Sequence, residues 1–439
     1  MKTLQQNELR VEQYLLPRLA RLRRLMLQAV ADPRDPRGKR FPIESMLLAL
    51  LAGLLSGCAA LRDVERESGR LGLGRCSGKI SDTALTHLLM RLSDVDLLPL
   101  QVALVKDMRS RGQLQSEGLR LDWTAIDGKY ETLDHHADGW AQKFEDKEKQ
   151  SVYWRLGALR AVLISAPGRP ALGQWTMGPA KTSETDPEKV KHTGEMTNVR
   201  PFIRWLREQY RNLTSNFTLD AGLWSRELFE QMDRDGLGLF GNIKENKPEL
   251  HAEVARVLRT EQRQHGPSAE SDWEPCRTGQ IRRRLWRSLA VEGWNGWTNL
   301  RQVLVVEQTT RPRDKGPDEV ELRYFGTNLP HATMSPKQLL QLVRRHWAIE
   351  NDCNWSLDMV MDEDDGAWCT QGKSMLALGV LRMIAYNLLQ WLRKRHVRVQ
   401  HLRVPDTPMP WRELHELIFA VWVRIGNQLL KRLTPPAPA

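Results

Sequence analysis

Apolar residues recur at helical spacing from Glu8 to about Gln28, where Leu15, Leu16, Leu19, Leu22, Leu25 and Met26 alternate with arginines. That pattern predicts an amphipathic helix with a basic face. The run DPRDPRGKR, Asp32 to Arg40, breaks it. Pro42 then opens the longest uncharged stretch, SMLLALLAGLLSGCAAL from Ser45 to Leu61. This stretch falls short of the roughly 20 residues a membrane span needs and is dotted with Gly, Ser and Cys, so it predicts a buried helix. Ser81 followed by Asp82 predicts the cap of another helix running through Met90 and Leu92. Up to about residue 110 the chain reads as all-helical.

The period changes at Leu119. GLRLDWTAIDGK alternates, turns apolar and ends in Asp-Gly, which predicts a buried strand running into a turn. Trp154 to Ser165 and Leu172 to Met177 read as further strands, and Asn216 to Asp220 as a short strand ending in a carboxylate. A helix through Leu228, Phe229 and Met232 leads to a strand from Leu237 to Lys244. This alternation predicts a mixed α/β layer. Residues 260–275 read as a polar loop, followed by RTGQIRRRLWRSLAV and LRQVLVVEQTT as strands of a small β unit reaching about Thr327. Ser335-Pro336 start a long helix through Leu339, Leu340, Val343, Trp347 and Glu350, and a second apolar helix spans Met375 to Leu392. The closing TPPAPA is expected to be disordered.

The chain carries 65 Lys and Arg against 54 Asp and Glu, a net charge of +11. The excess lies at both ends: residues 1–40 hold ten basic against four acidic residues, and residues 391–439 nine against three. A positive field concentrates polyanions, so nucleic acid is the first partner to expect, with solubility alone as the plainer reading. The five cysteines, Cys58, Cys76, Cys276, Cys353 and Cys369, are odd in number and form no CxxC pair, which speaks against a disulfide framework or a zinc knuckle. The start MKTLQQNELRVEQ is polar where a secretory leader is apolar. The expectation is a cytoplasmic chain with no membrane partner.

Three acids stand where packing does not explain them. Asp127 ends the apolar strand TAID, Asp220 ends FTLD, and Glu350 lies on the otherwise apolar stripe Leu340, Val343, Trp347. A buried carboxylate needs a partner. Two strand ends and a helix face can gather three acids around a pair of divalent cations, and all-oxygen ligation suits Mg²⁺ or Mn²⁺. Such a pair supports in-line phosphoryl displacement. Each acid also has a plainer reading: Asp127-Gly128 as a turn, Asp220 as the N-cap of the next helix, Glu350 paired with Arg344 or Arg345.

Six strings decide the weighing. DPRDPRGKRFPIESMLLALLAGLLSG, AIDGK, LGQWTMGPAKTSET, FTLDAG, GLGLFGNIKENKPEL and RRHWAIENDCNWSLDMVMDEDDGAW resemble, in order and over nearly the whole chain, the H-repeat-associated branch of bacterial insertion-sequence DDE transposases. The resemblance implies an α/β protein with an RNase H-like catalytic core and a β-rich insertion before the third acid, preceded by an all-helical domain. It divides the chain into a helical region 1–112, a core in two parts at 113–260 and 333–400, an insertion 261–332, and a C-terminal helix and tail 401–439. The family's catalytic, metal-holding acids fall on Asp127, Asp220 and Glu350. Two Mg²⁺ ions, or Mn²⁺, are implied as cofactors. The implied reaction is hydrolysis of a phosphodiester at the element's ends, then attack of the freed 3′-hydroxyl on target DNA. Double-stranded DNA is the implied partner, with a homodimer assembled on it near the nucleoid.

Around the acids, Lys129, Lys244, Asn246, Arg344, His346 and Asn351 are candidates for phosphate contacts or for orienting the carboxylates. The chain departs from the family in YETLDHHADGW after IDGK, in Leu357 where a Lys is usual, and in MDEDDGAW where a more basic ending is usual. These departures mark a divergent member and leave open a decayed or domesticated DNA-binding relative, or a nuclease that cuts without joining. Asp362 to Gly366 imitates a calcium loop, but the twelfth position is Lys373 rather than Glu, so a solvated loop is expected. His135 and His136, beside Asp134 and Asp138, follow no ligand spacing. Trp347, Trp355 and Trp368 surround the third acid and read first as core packing. Arg277 to Arg287 interleaves cations with apolar residues, which gives a strand one face that can follow a phosphate backbone.

Overall fold

A computed structural model describes residues 2–70, 79–133, 140–146, 150–179, 191–276, 278–291, 293–314, 316–364, 368–369, 372–396 and 408–433. Cys76, Asp134, His135, His136, Asp138, Arg277, Asp365, Gly366 and the tail 434–439 lie outside the described residues.

The N-terminal region is helical, as its periodicity predicts. Helix α1 (Lys2–Ala29) buries Val11, Leu15, Leu19, Leu22 and Met26. The apolar run forms α2 (Ile43–Leu55), in which every residue but Ser45 is buried. Helix α3 (Leu61–Arg70) follows, then α4 (Asp82–Leu89), whose N-cap Ser81 accepts from the Ala84 amide at 3.3 Å. Helix α5 (Asp94–Ser110) starts with a capping box between Ser93 and Asp96.

The sheet begins with β1 (Thr124–Leu133), β2 (Gln142–Asp146), β3 (Ser151–Leu163) and β4 (Ala171–Thr176). Helix α6 (Glu195–Tyr210) leads to β5 (Asn216–Leu219), and α7 (Arg226–Arg234) to β6 (Gly238–Ile243). Helix α8 (Pro248–Gln264) precedes five further strands: β7 (Ala269–Glu270), β8 (Glu274–Pro275), β9 (Gly279–Ser288), β10 (Gln302–Pro312) and β11 (Glu319–Thr327). The main strand order is β2-β3-β1-β5-β6-β11-β10-β9-β7, with β4 beside the second half of β3 and β8 beside β9. β1, β5 and β6 are mutually parallel, and the pairings around them are antiparallel, so the sheet is mixed.

The strands of the insertion are not a separate layer. Tyr324 to Thr327 of β11 pair with Ile243 to Phe240 of β6, so they prolong the central sheet. The stretch 260–275, expected as a loop, holds the end of α8 and two short edge strands.

Helix α9 (Pro336–His346) opens with a capping box between Ser335 and Gln338. The chain then widens into a π-helical stretch, Ile349–Asn354, before α10 (Trp355–Met361). Helix α11 (Gly372–Trp391) is buried along nearly its whole length against α2, α5 and β4, and α12 (Trp411–Leu433) packs on α1 and α3. Gly372–Lys394 is long and apolar enough to cross a membrane, but 94% of its apolar window is buried within the fold. Side chains tie this helical layer to the sheet: Asn387 both donates to and accepts from the Ala171 backbone, Gln101 donates to the same carbonyl, and Gln174 reaches the Leu376 carbonyl. Among the described residues Cys58, Cys276, Cys353 and Cys369 are free thiols.

Candidate active site

Parallel pairing sets the first two acids side by side. Ile126 faces Leu219 in the β1–β5 register, so Asp127 and Asp220 each stand one step beyond that pair, on strands about 4.8 Å apart. Asp127 is not in a turn. β1 continues through it to Leu133 because the long strand β3 pairs with it throughout, opposing Arg160 to Asp127. Nor does Asp220 cap a helix, since Ser225 caps α7. Glu350 comes from the π-helical stretch rather than from α9, and a π turn recurs at functional sites. The buried residues Ile349, Cys353, Leu357 and Met361 step inward four apart. Glu350 therefore faces out while its neighbours pack.

The electrostatics tie the three acids together. Burial, then the charge of Glu350, pushes the Asp127 carboxyl up to about 7, with Glu195 and Asp220 adding to the rise and the Gly128 amide opposing it. Glu350 is also raised, by desolvation and then by Asp220, while Lys244 and Arg323 oppose that rise. Asp220 behaves differently. Burial would raise it, but hydrogen bonds from Lys244 and the Ala221 amide outweigh burial and hold it below the usual carboxylate range. Lys244 Nζ lies 3.0 Å from Asp220 Oδ1, and Asn242 Nδ2 donates to the same oxygen at 3.3 Å. Asn354 Nδ2 approaches Asp127 Oδ2 at 3.5 Å.

A fourth acid, Glu195, stands at the same spot. A Cβ built on Gly128 would lie 2.0 Å from Glu195 Oε1, so the carboxylate fills the space a side chain at 128 would need. Tyr130 shares a hydrogen bond with Glu195, and burial followed by that charge pushes the phenol up to about 12. Sequence reasoning passes over Glu195 because an acid in a helix's first turn reads as a partner of the helix dipole.

Beneath Asp127 lies an ion network that the sequence did not signal. Arg160 donates to both oxygens of Glu363, at 2.6 and 2.7 Å, and reaches Asn354 Oδ1 at 3.4 Å. Glu131 Oε1 is 3.6 Å from the same guanidinium, and burial pushes the Glu131 carboxyl up to about 8. The expected solvated acidic loop is thus corrected. Asp362 ends α10 in the left-handed conformation with φ 47°, Glu363 turns into the core, and Asp364 pairs with Lys129.

The other candidates divide by surroundings. Lys129 is held by Asp358 at 2.7 Å and Asp364 at 2.9 Å. His346 is buried, its Nδ1 is 2.6 Å from Thr218 Oγ1, and desolvation lowers its pKa to about 4, so as positioned its neutral ring packs under the sheet instead of meeting a phosphate. Asn246 ties down the loop after Asp220 through the Ala221 carbonyl at 2.9 Å. Arg344 pairs with Glu274 at 2.7 Å, and Arg345 donates to the carbonyls of Ile164 and Ser165, which leaves neither on Glu350. Asn351 is exposed and lines a cleft of about 390 Å³ with Glu350, Arg283, Arg323 and Arg344. A larger cleft of about 720 Å³ opens on Asp220, Asn242 and Lys244. Trp347 separates the two, with Lys244 5.8 Å and Arg323 5.2 Å from its ring centre.

Three arginines of β9 have carboxylate partners, while Arg287, among the described residues, reaches only the His331 carbonyl. Arg282 pairs with Glu270, Arg283 with Glu274, and Arg284 with Glu307. The face expected to follow a phosphate backbone therefore carries its own counter-ions.

The side chains of Asp127, Asp220, Glu350 and Glu195 offer oxygen donors only, the kind hard divalent ions take, without forming a closed ligand set. The raised carboxyl of Asp127 reflects its burial first and the negative charge of Glu350 second. Among the described residues no three His, Cys, Asp or Glu side chains close around one point as positioned.

The architecture defines a mixed α/β protein in which Asp127 and Asp220 stand side by side just past the paired parallel stretch of β1 and β5. No protein-family profile matches the chain. Over 96 residues it is 29% identical to the H repeat-associated putative transposase YhhI of Escherichia coli (strain K12), a match covering 22% of this chain and 24% of that protein. Putative protein YbfL of the same strain matches to the same extent. The putative transposase YncI of Escherichia coli O157:H7 is 29% identical over 97 residues, 22% of this chain and 23% of that protein. The chain thus spans about a quarter of the length of the curated relatives it matches. Over that stretch the resemblance is borne out: the chain is similar there to proteins named as putative transposases, one of them H repeat-associated.

Proposed function

We propose that the chain is a DDE transposase that cuts DNA at the ends of an insertion sequence and joins the freed 3′-hydroxyl to target DNA. The single observation carrying this reading is that strand register sets Asp127 beside Asp220, with Glu350, from a distant part of the chain, near enough to raise Asp127 and to be raised by Asp220. The strand order β3-β1-β5-β6, with two acids at the ends of the parallel pair β1 and β5, supports an RNase H-like core. The transposase-named relatives support the same class of reaction.

In this reading Asp127, Asp220 and Glu350 hold the divalent ions. When bound, a pair of Mg²⁺ ions supplies Lewis-acid stabilisation of the attacking and leaving oxygens. The protein's part is positional. Asn354 fixes one oxygen of Asp127, and Asn242 fixes one of Asp220. Lys244 keeps Asp220 ionised, the form in which it would hold a cation. Lys244 and Arg323 favour the charged form of Glu350.

The test is an assay with the element's own end sequences, Mg²⁺ and a target plasmid. Joined products are expected. Cutting without joining makes the chain a nuclease, and salt-sensitive binding without cutting makes it a decayed DNA-binding relative.

A further inference from the structure

Helix α6 starts at the acids and runs away from them. Its first residue, Glu195, lies against Gly128, and its last turn approaches the opposite end of β1, where Thr124 meets the Leu213 carbonyl. Along one face stand Arg200, Arg204 and Arg207, spaced four and three residues apart, and all three line a cleft of about 190 Å³. Arg200 and Arg204 are exposed, and among the described residues neither has an ion-pair or hydrogen-bond partner. Arg207, which lines the same cleft, is fixed through Nη1 to the carbonyls of Arg211 at 2.6 Å and Thr214 at 3.2 Å.

This contrasts with the insertion, where Arg282, Arg283 and Arg284 each sit on a carboxylate. The carboxylates near the α6 row are few. Asp235 lines the same cleft, Glu227 lies close enough to feel Arg200, and Glu208 is on the helix itself. Glu230 and Asp233 of α7 are already engaged by Arg226 and Arg301. At about 1.5 Å of rise per residue the three arginines span about 10 Å, the axial length of about three nucleotides of one DNA strand.

We infer that the Arg200–Arg204–Arg207 face of α6 is a backbone track that grips the phosphates of a DNA duplex and leads them to or from the acids. This rests on the proposed reading only in taking duplex DNA as the substrate. The duplex is either the element's end or the target, and the two are separated by which step fails.

The experiment uses the full chain and a random-sequence duplex, with binding followed by fluorescence anisotropy over a range of salt. Arg200→Gln combined with Arg204→Gln lowers the slope of log affinity against log salt by about two, one counter-ion for each lost phosphate contact. Arg200→Lys with Arg204→Lys keeps the wild-type slope. Both positions are exposed, so the melting temperature of each variant matches wild type, which separates lost contact from lost fold. An unchanged slope in the Gln variant overturns the proposal. In the cutting and joining assay, a Gln variant defective at cutting assigns the track to end DNA, and one that cuts but does not join assigns it to the target. A wild-type chain that binds with its full slope and cuts nothing overturns the transposase reading and leaves the α6 contact standing. Normal cutting and joining with an unchanged slope does the reverse.

Discussion

Arg160 and Glu363, 203 residues apart in sequence, meet in two hydrogen bonds of 2.6 and 2.7 Å on the strand that backs Asp127. Both are fully enclosed by protein, so each charge has only the other and a few polar neighbours in place of water. Replacing Glu363 with Ala leaves a guanidinium buried beside Glu131 without its main counter-ion. Urea unfolding is expected to show a loss of about 3–5 kcal/mol. A loss below about 1 kcal/mol would mean that water reaches the network.

Asp127 sets a pH dependence. Its carboxyl is raised from the ordinary 3.8 to about 7, so the folded state holds that proton more tightly than the unfolded one. The stability from this group is fully present below about pH 4 and is lost as the pH rises through about 7. Asp127→Asn cannot ionise. It is expected to melt higher than wild type at pH 8, by an equivalent of about 4 kcal/mol, and to differ little near pH 4. In the proposed reaction the same variant binds DNA and gives no product.

A divalent cation should reverse that penalty. Mn²⁺ or Mg²⁺ is expected to raise the melting temperature more at pH 8 than at pH 6, because the ion competes with the proton on Asp127. Asp127→Asn is expected to remove most of the shift. A shift equal in wild type and variant would locate the ion elsewhere.

Lys129 serves two carboxylates in the folded chain. Lys129→Ala leaves the partly buried Asp358 unpaired and should cost about 1–2 kcal/mol, most of which Asp358→Asn restores in the double variant. Thermal melts of the four proteins of this cycle measure the coupling. Simple additivity would show the pair to be too solvated to matter.

Much of the scaffold could be read before any coordinates. The arginine-studded periodicity of α1, the unbroken apolar run of α2 and the Ser81 cap are local signals, and the helices form where these stand. Asp127 and Asp220 were legible as candidates because an acid closing an apolar run has few packing explanations, although β1 does not end at Asp127. What was hidden depends on register and long-range pairing. Nothing local tells that β1 passes through Asp-Gly to Leu133, since only its long partner β3 imposes that. Glu363 looks like one more solvated acid until Arg160 is brought beneath it from the other half of the chain. The widened turn at Ile349–Asn354 likewise has no compositional mark, although it decides how Glu350 faces. The carboxylates beside three arginines of β9 were hidden in the same way. They come from β7, β8 and β10, a fact of pairing and not of spacing.

The junction between β6 and β11 has a mechanical meaning. Asn242, which steadies Asp220, and Arg323, which neighbours Glu350, belong to adjacent strands of one ladder, and the outer strands hang from the same hydrogen bonds. The residues beside two of the acids are thus keyed to one another by backbone register rather than by a loop.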